Sequence, residues 1–330
     1  MSTSEPDATG GSGPRVVALG GGHGLSASLT ALRRLTGQLT AVVTVADDGG
    51  SSGRLRRDLG VLPPGDLRMA LAALCGDDDW GQTWARVLQH RFGGASELRQ
   101  HAVGNLLIVA LWELLGAHVD GLDWVGRLLG ARGRVLPMAA VPLDIEALVM
   151  GHDTSAPLAL TTVTGQVAVA TTPGRVASVS LQPPAPPACP EAVAAVREAD
   201  WVVLGPGSWF TSVIPHLLVP DLADALCQTS ARRLLTLNLP SQDAETAGLT
   251  PTTHLDVLAA HAPDLSVDVV LADPAVMADG ASLERAAESL GGRLVVADIA
   301  LGDGTPRHDP GRLAQAYEGI LTRGRMRPWR

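Results

Sequence analysis

The sequence predicts an α/β protein with a doubly wound, mainly parallel Rossmann-like sheet and a small β-rich insertion. Three observations carry that expectation. The apolar run Arg15-Val16-Val17-Ala18-Leu19 stops at Gly20-Gly21-Gly22-His23-Gly24 and passes at once into an amphipathic stretch. The same order of buried strand, glycine turn and helix returns at Trp201-Val202-Val203-Leu204, followed by Gly205-Pro206-Gly207-Ser208. Further short apolar runs alternate with helix-period segments, which is the pattern of βαβ units.

Taken in order, apolar residues at Leu25, Leu29, Leu32 and Leu35 mark the first helix, with Gly37 as its stop. Thr40 to Ala46 reads as the second strand and ends at Asp47-Asp48. Gly49-Gly50-Ser51-Ser52-Gly53-Arg54 reads as a loop, and Pro63-Pro64-Gly65 as a turn before a helix that Asp66 caps and that runs to about Cys75. Asp77-Asp78-Asp79 reads as the solvated start of a helix near Trp80 to Arg91. From Leu106 to Trp112 the chain is apolar almost all round, a central buried helix with Asn105 at its start, facing either a ligand or the helix end.

From about 134 the texture becomes strand-like. Arg134 to Pro137, Leu158 to Val163, Gln166 to Thr171 and Val176 to Leu181 predict a β-rich insertion over 134–181, and the proline-rich segment 182–190 an extended connector. Beyond the second glycine turn a helix is expected from Val213 to Cys227, interrupted by Pro215 and Pro220. Strands follow at Arg233 to Leu237, Val267 to Leu271 and Leu294 to Ala297. Thr252 or Thr253 is expected to cap a helix, and Asp309-Pro310 supplies an N-cap and first residue for the last one. Residues 15–330 therefore read as one nucleotide-binding domain behind a disordered leader over 1–14.

Composition narrows the chemistry. The chain has 330 residues, is 46% hydrophobic and carries a formal charge of -9, so no global basic field draws it to nucleic acid. All 25 basic residues are arginines, which removes Schiff-base lysines and the lysine of an ordinary P-loop. Cys75, Cys189 and Cys227 are too few and too scattered for a disulfide framework or a zinc site. No apolar run reaches membrane-spanning length and no signal peptide precedes the domain, so a cytoplasmic protein without membrane insertion is expected.

The glycine turns point to phosphate, because a strand that ends at glycines and becomes a helix presents backbone N–H groups and the positive helix end to an anion. Gly21, Gly22, His23, Gly24 and Leu25 form the first such turn, and Gly22-x-Gly24-x-x-Ala27 matches the dinucleotide pattern that NAD uses. Asp47 lies about twenty residues further on, where a carboxylate meets a ribose in such folds, and Asp47-Asp48 also suits Mg²⁺. Gly49, Gly50, Ser51, Ser52, Gly53 and Arg54 add amides, hydroxyls and a planar guanidinium. Gly205, Gly207, Ser208, Thr211 and Ser212 repeat the theme on a second strand end, and Asn238 closes a third. Gly-Pro-Gly-Ser-Trp lacks the second glycine of a hydrolase nucleophile elbow, so no catalytic serine is assigned.

Gly20 to Ser26, Val43 to Arg56, Pro63 to Asp66 and Gly104-Asn105-Leu106-Leu107, together with Gly205 to Ser208, Thr211 to Pro215 and Asn238-Leu239, resemble the bacterial gluconeogenesis factor family. This YvcK-like family sits with the phospholactate transferases in a CofD-like superfamily. The resemblance spans roughly residues 15–320. It implies a nucleotide-sugar ligand, typically a UDP-sugar, held by the residues above with Asp66, Arg68, Gly104 and Asn105. It further implies a cytoplasmic regulatory role in carbon use and cell shape, and no established reaction. A homo-oligomer and regulatory protein partners are compatible with it. The alternative it carries is an Mg²⁺-dependent phosphoryl-type transferase in which Asp47 or Asp48 holds the metal and Arg54 or Arg68 the phosphate. A third reading, an NAD-linked oxidoreductase, rests on the glycine spacing alone. His23 stands where the family has threonine, Met69 where it has asparagine, and His101-Ala102-Val103 where His-Ser-Phe is usual.

Overall fold

The computed structural model describes residues 13–153, 155–156, 158–240 and 250–323. In chain order it runs β1 (Val16–Gly20), α1 (Gly22–Leu32), β2 (Leu39–Val43), α2 (Gly50–Leu59), α3 (Gly65–Leu74), α4 (Asp79–Gln89), α5 (Val103–Leu115) and α6 (His118–Leu129). Next come β3 (Arg134–Pro137), β4 (Asp144–Met150), β5 (Leu160–Thr164), α7 (Gln166–Ala170), β6 (Arg175–Gln182), α8 (Pro190–Glu198) and β7 (Trp201–Leu204). The chain then passes through α9 (Pro220–Gln228), β8 (Arg232–Thr236), α10 (Pro251–His261), β9 (Val269–Ala272), α11 (Gly280–Ser289), β10 (Arg293–Val296) and α12 (Pro310–Arg323).

β1, β7 and β9 are buried at every position. A run with no polar face must be covered on both sides, which a parallel sheet between two helical layers provides. The sheet has seven strands in the order β10-β9-β8-β7-β1-β2-β3, every neighbouring pair parallel. From β1 the chain winds outward through β2 to β3, then returns to β7 on the other side of β1 and winds the opposite way. That reversal between β1 and β7 opens a crevice at their carboxyl ends.

A separate antiparallel sheet, β5-β4-β6, forms the insertion. Arg56 on α2 tethers it, donating from Nη1 to the Leu143 carbonyl at 2.8 Å and pairing with Asp144 at 2.9 Å. At the other end of the chain, α12 returns to the crevice. The fully buried Tyr317 hydroxyl lies 2.7 Å from Ser28 Oγ on α1 and 3.1 Å from Thr236 Oγ1 on β8. Ser28 in turn donates to the Gly205 carbonyl at 3.1 Å. One network thus fixes α1 and the ends of β7 and β8 around the switch point.

Several expectations are corrected. Arg134–Pro137 belongs to the main sheet, paired with β2, so the insertion begins at Asp144 rather than at 134. Gln166–Ala170 is a helix, not a strand, since Gly165 turns the chain and the Asp48 carboxylate accepts from Val167 N in its first turn. Gly50–Leu59 is a helix in which Ser51, Ser52 and Gly53 are buried; its weak intrinsic propensity hid it. α6 and α11 also went unread. Val213 to Cys227 is not one helix: Trp209–Val213 is a π turn, Ile214–Leu218 a 3₁₀ turn, and α9 begins only at Pro220. Thr250, not Thr252 or Thr253, caps α10, and Pro64, not Asp66, precedes α3. Asp309 does cap α12, accepting from Gly311 and Arg312 amides. The leader up to residue 12 and the arginines from 325 onward lie outside the described residues. Among the described residues no single helix is long and apolar enough to cross a membrane.

Tyr317→Phe leaves the Ser28 and Thr236 hydroxyls without their shared partner, and we expect a loss of about 1–2 kcal/mol in urea unfolding, with the m-value unchanged.

Candidate functional site

The crevice at the switch point is built where backbones touch. A Cβ on Gly24, in the first turn of α1, would lie 2.3 Å from the Pro206 carbonyl oxygen and 2.7 Å from Gly207 Cα. Only glycine lets α1 start this close to the β7 turn. Asn238 locks that turn from the end of β8, accepting from Gly207 N at 2.8 Å and donating to Gly207 O at 2.6 Å. Gly22 has a φ of +58° and nothing within 4 Å of its Cβ position, so its backbone faces open space.

The resulting cleft holds about 330 Å³ and is lined by His23, Gly24, Gly207, Ser208 and Asn238, all expected from the sequence. Ser26, Thr30, Arg307 and His308 also line it and were not expected. The last two arrive with the segment that leads into α12. The Asp309-Pro310 cap was readable, but nothing in the spacing said that this helix start returns to the first glycine turn. Arg307 pairs with Asp303 at 2.7 Å at the mouth, while burial pushes the His308 pKa down and keeps the ring neutral.

Thr211 and Ser212 were expected to offer hydroxyls to the same ligand, and neither lines the cleft. Thr211 is buried with its hydroxyl against Ser208 Oγ, which also accepts from Thr211 N at 3.2 Å. Ser212 turns away from the cleft toward Gly21, whose Cβ would lie 3.3 Å from its Oγ.

On the far side of the β1 turn lies a second, closed polar group of residues. Asp47, in the turn after β2, accepts from Gly49 N at 2.9 Å, and Ser52 Oγ accepts from Gly65 N at 2.8 Å. A Cβ on Gly21 would sit 2.6 Å from Asp66 Oδ2, and one on Gly65 2.6 Å from Asp47 Oδ2. One carboxylate therefore lies against Gly21 of the first turn and the other against Gly65 at the start of α3. Burial first, and then the neighbouring Asp47 charge, push the Asp66 pKa up to about 7, against an amide bond from Gly22 and the Arg68 charge. Burial likewise raises Asp47. Asp66 Oδ2, Thr44 Oγ1 and Arg68 Nη1 are buried with no hydrogen-bond partner. Arg68 Nε donates to Asn105 Oδ1 at 2.8 Å, and Asn105 Nδ2 donates to Ser51 Oγ at 3.1 Å. Asn105 is thus the third residue of α5, not its cap, and its amide ties α5 to α2 and α3.

The remaining expected residues lie outside the lining of the cleft. Leu25 is a core side chain under Gly20, and a Cβ on Gly53 would overlap the Asp48 carbonyl. Gly104 makes room for Arg68 and Leu88. Asp48 points away from Asp47 and accepts from Val167 N at 3.0 Å, with Gly49 beside the Val167 side chain and Gly50 in open space. Arg54 donates to the Arg99 carbonyl at 2.7 Å. Among the described residues no three His, Cys, Asp or Glu side chains are placed to hold a metal ion.

Comparison with known proteins follows these features. The model of the 2-phospho-L-lactate transferase CofD family matches residues 16–300. A Mycobacterium tuberculosis protein provisionally named a gluconeogenesis factor is 55% identical over 311 residues, covering 93% of this chain and 90% of that protein. The gluconeogenesis factor of Listeria monocytogenes is 34% identical over 319 residues, with 93% and 96% covered. A crystal structure of a UPF0052 family protein from Bacillus halodurans superposes with a TM-score of 0.81 at 32% identity, covering 92% of this chain and 98% of that one.

Because the folded pKa of Asp66 is raised, the carboxyl is protonated in the fold while already ionised in the unfolded chain between about pH 4 and pH 7. The native state loses stability as pH rises through that window and the penalty is complete above it. Asp66→Asn should raise unfolding free energy by roughly 2 kcal/mol at pH 8 and by little at pH 4, read by denaturant titration at both values. An equal gain at the two pH values would remove the charge from the explanation.

Proposed function

The chain belongs to the CofD-like gluconeogenesis factor family, and from that premise we propose that it is a regulatory protein that binds a nucleotide diphosphate-sugar, a UDP-sugar, in the cleft between β1, β7 and β8. The observation that carries the reading is the Gly24 contact with Pro206 and Gly207, which brings two glycine turns and the Asn238 strand end to one wall. Backbone amides of such turns, with the positive end of α1 behind them, suit a diphosphate better than any single side chain would. Among the described residues Arg307 is the one arginine in the lining. The open side, floored by Leu239 and Thr30, suits a base or a sugar. Regulation of carbon use and of cell shape, in the cytoplasm, belongs to this same proposal and is supported by the family.

A second reading has one specific observation behind it. Asp66 presents a carboxylate to Gly21 of the first glycine turn, and Asp47, whose charge acts on it, presents a second to Gly65; Mg²⁺ bound to nucleotide phosphates needs only one or two protein carboxylates beside its waters. A phosphoryl-type transferase would use that pair, with Asp48 excluded because it caps α7.

Calorimetric titration with UDP-sugars, guanosine nucleotides and NAD, each with and without Mg²⁺, separates the readings. We expect UDP-sugar binding without turnover. Gly22→Asn tests the turn, because asparagine tolerates the left-handed backbone and its side chain would enter the open space. The variant should keep its melting temperature and bind UDP-sugar at least about tenfold more weakly. Unchanged affinity would take the first turn out of the site, while Mg²⁺-dependent product formation that Asp66→Asn abolishes would establish the transferase instead.

A further inference from the structure

α5 carries only Asn105 and Glu113 as polar residues, and a helix that is apolar almost all round needs cover on every side. The sequence predicts a central buried helix, but the structure covers one side alone. Gly104, Asn105, Ile108, Val109 and Trp112 are buried. The opposite side presents Val103, Leu106, Leu107, Ala110, Leu111 and Leu114. Of these Leu114 is 80% exposed, Ala110 is exposed and the other four are partly buried. Scattered surface leucines need no explanation, whereas an apolar stripe along a whole helix marks a surface that something covers.

Within the stripe Val103, Leu107, Ala110 and Leu114 follow one another at spacings of four, three and four residues, the seam of a paired helix. Ala110 puts a small side chain in that seam, which lets a second backbone come close. The two ends of the seam differ in charge. Before the first turn, exposed Arg91 forms a backbone bridge with Ala102 and donates from Nη1 to the Gln100 carbonyl at 2.9 Å. In the last turn Glu113 is exposed. Neither Arg91 nor Glu113 forms an ion pair among the described residues. The helix dipole has the same sense, positive at Val103 and negative at Leu115. A face that is cationic at one end, acidic at the other and apolar between is complementary to itself turned end for end.

We propose that the exposed side of α5 is the interface of a homodimer, in which α5 of a second copy packs antiparallel across a two-fold axis between Leu107 and Ala110. In that register Val103 faces Leu114 of the partner subunit and Leu107 faces Ala110 of the partner subunit, and the axis repeats each pair. Leu106 and Leu111 flank the seam and close its edges. Glu113 arrives at the first turn of the partner subunit's α5, where the positive helix end and the partner subunit's Arg91 favour an acid. A parallel partner would bring like charges together at both ends, and an anionic lipid surface would repel Glu113. Only a second copy supplies the apolar seam and both opposite charges at once. None of these residues lines the cleft, so the interface stands whatever the cleft holds.

Sedimentation of the full chain in the analytical ultracentrifuge, over a concentration series, reads the association. We expect a dimer with a dissociation constant of about 10 μM or below. Ala110→Glu and Leu114→Glu change exposed side chains, so each should keep the wild-type melting temperature while weakening dimerisation by about a hundredfold. Glu113→Arg should weaken it by about tenfold. Adding Arg91→Glu to the same chain should recover the dimer, because the two-fold axis brings the exchanged charges together again. A wild-type chain that is still monomeric at about 100 μM would overturn the proposal. So would a dimer that survives both Ala110→Glu and Leu114→Glu, since its interface would lie elsewhere. Failure of the charge-exchanged double variant to recover would overturn the antiparallel arrangement.

Discussion

Everything at the carboxyl ends of the strands depends on one backbone contact, that of Gly24 with Pro206 and Gly207. β1 and β7 are hydrogen-bonded neighbours although some 180 residues separate them, and the loops leaving them must diverge to opposite faces of the sheet. They diverge only after touching. The contact fixes where α1 begins and where the β7 turn ends, and Asn238 then fastens the same turn to the end of β8. A side chain at position 24 would force α1 away from the crevice and open the wall that the three strand ends share. The Tyr317 network acts behind this wall, holding Ser28 one turn further along α1.

The second constraint is electrostatic. Asp47, Asp66 and Arg68 are all brought under the first glycine turn, yet no ion pair of ordinary length joins them. Burying carboxylates without close cations is costly, and the fold answers it by raising the pKa of both acids rather than by pairing them. Such an arrangement stores an unfavourable term in the ligand-free protein. A structural core would have removed it with apolar residues at no loss of packing, which is why the cluster reads as functional. Thr44 and Arg68, buried with unused donors, repeat the same lesson.

How much of this is legible in the sequence follows from the physics of each part. The glycine turns at 20–24 and 205–208 and the buried strands before them are local: the residue types alone say strand, stop and helix. The doubly wound, mainly parallel sheet was implied by alternating strands and helices, and the β-rich insertion by its strand-like runs and turns. What the sequence hides is tertiary. α2 is written in Gly-Ser-Ser-Gly and forms because Ser51, Ser52 and Gly53 are buried against α3 and α5. Gln166–Ala170 alternates like a strand, yet Asp48 and Gly165 make it a helix. Arg307 and His308 join the cleft through the docking of α12, a contact between the two ends of the chain that no spacing rule records. The placement of Thr211 and Ser212 was hidden for the same reason: a hydroxyl beside a glycine turn is indistinguishable in sequence whether it faces a ligand or the π turn it closes.

Asp47 and Asp48 show how far adjacent, chemically identical residues can part. In the turn beyond β2, which ends at Val43, one carboxylate meets Gly49 N while the other meets Val167 N of the insertion. Asp48 there meets the first turn of α7, and Gly165, at a φ of +103°, brings its backbone so near that a Cβ would lie 2.3 Å from Asp48 Oδ2. A Cβ on Gly49 would lie 3.0 Å from Val167 Cγ2. The insertion is therefore seated on the very dipeptide that carries the inward carboxylate, with contacts too tight to absorb a displacement on either side. α7 also packs on the π turn after β7. Two of the loops around the first glycine turn thus share a single outer support, and the insertion is part of the site's framework rather than an appendage to it.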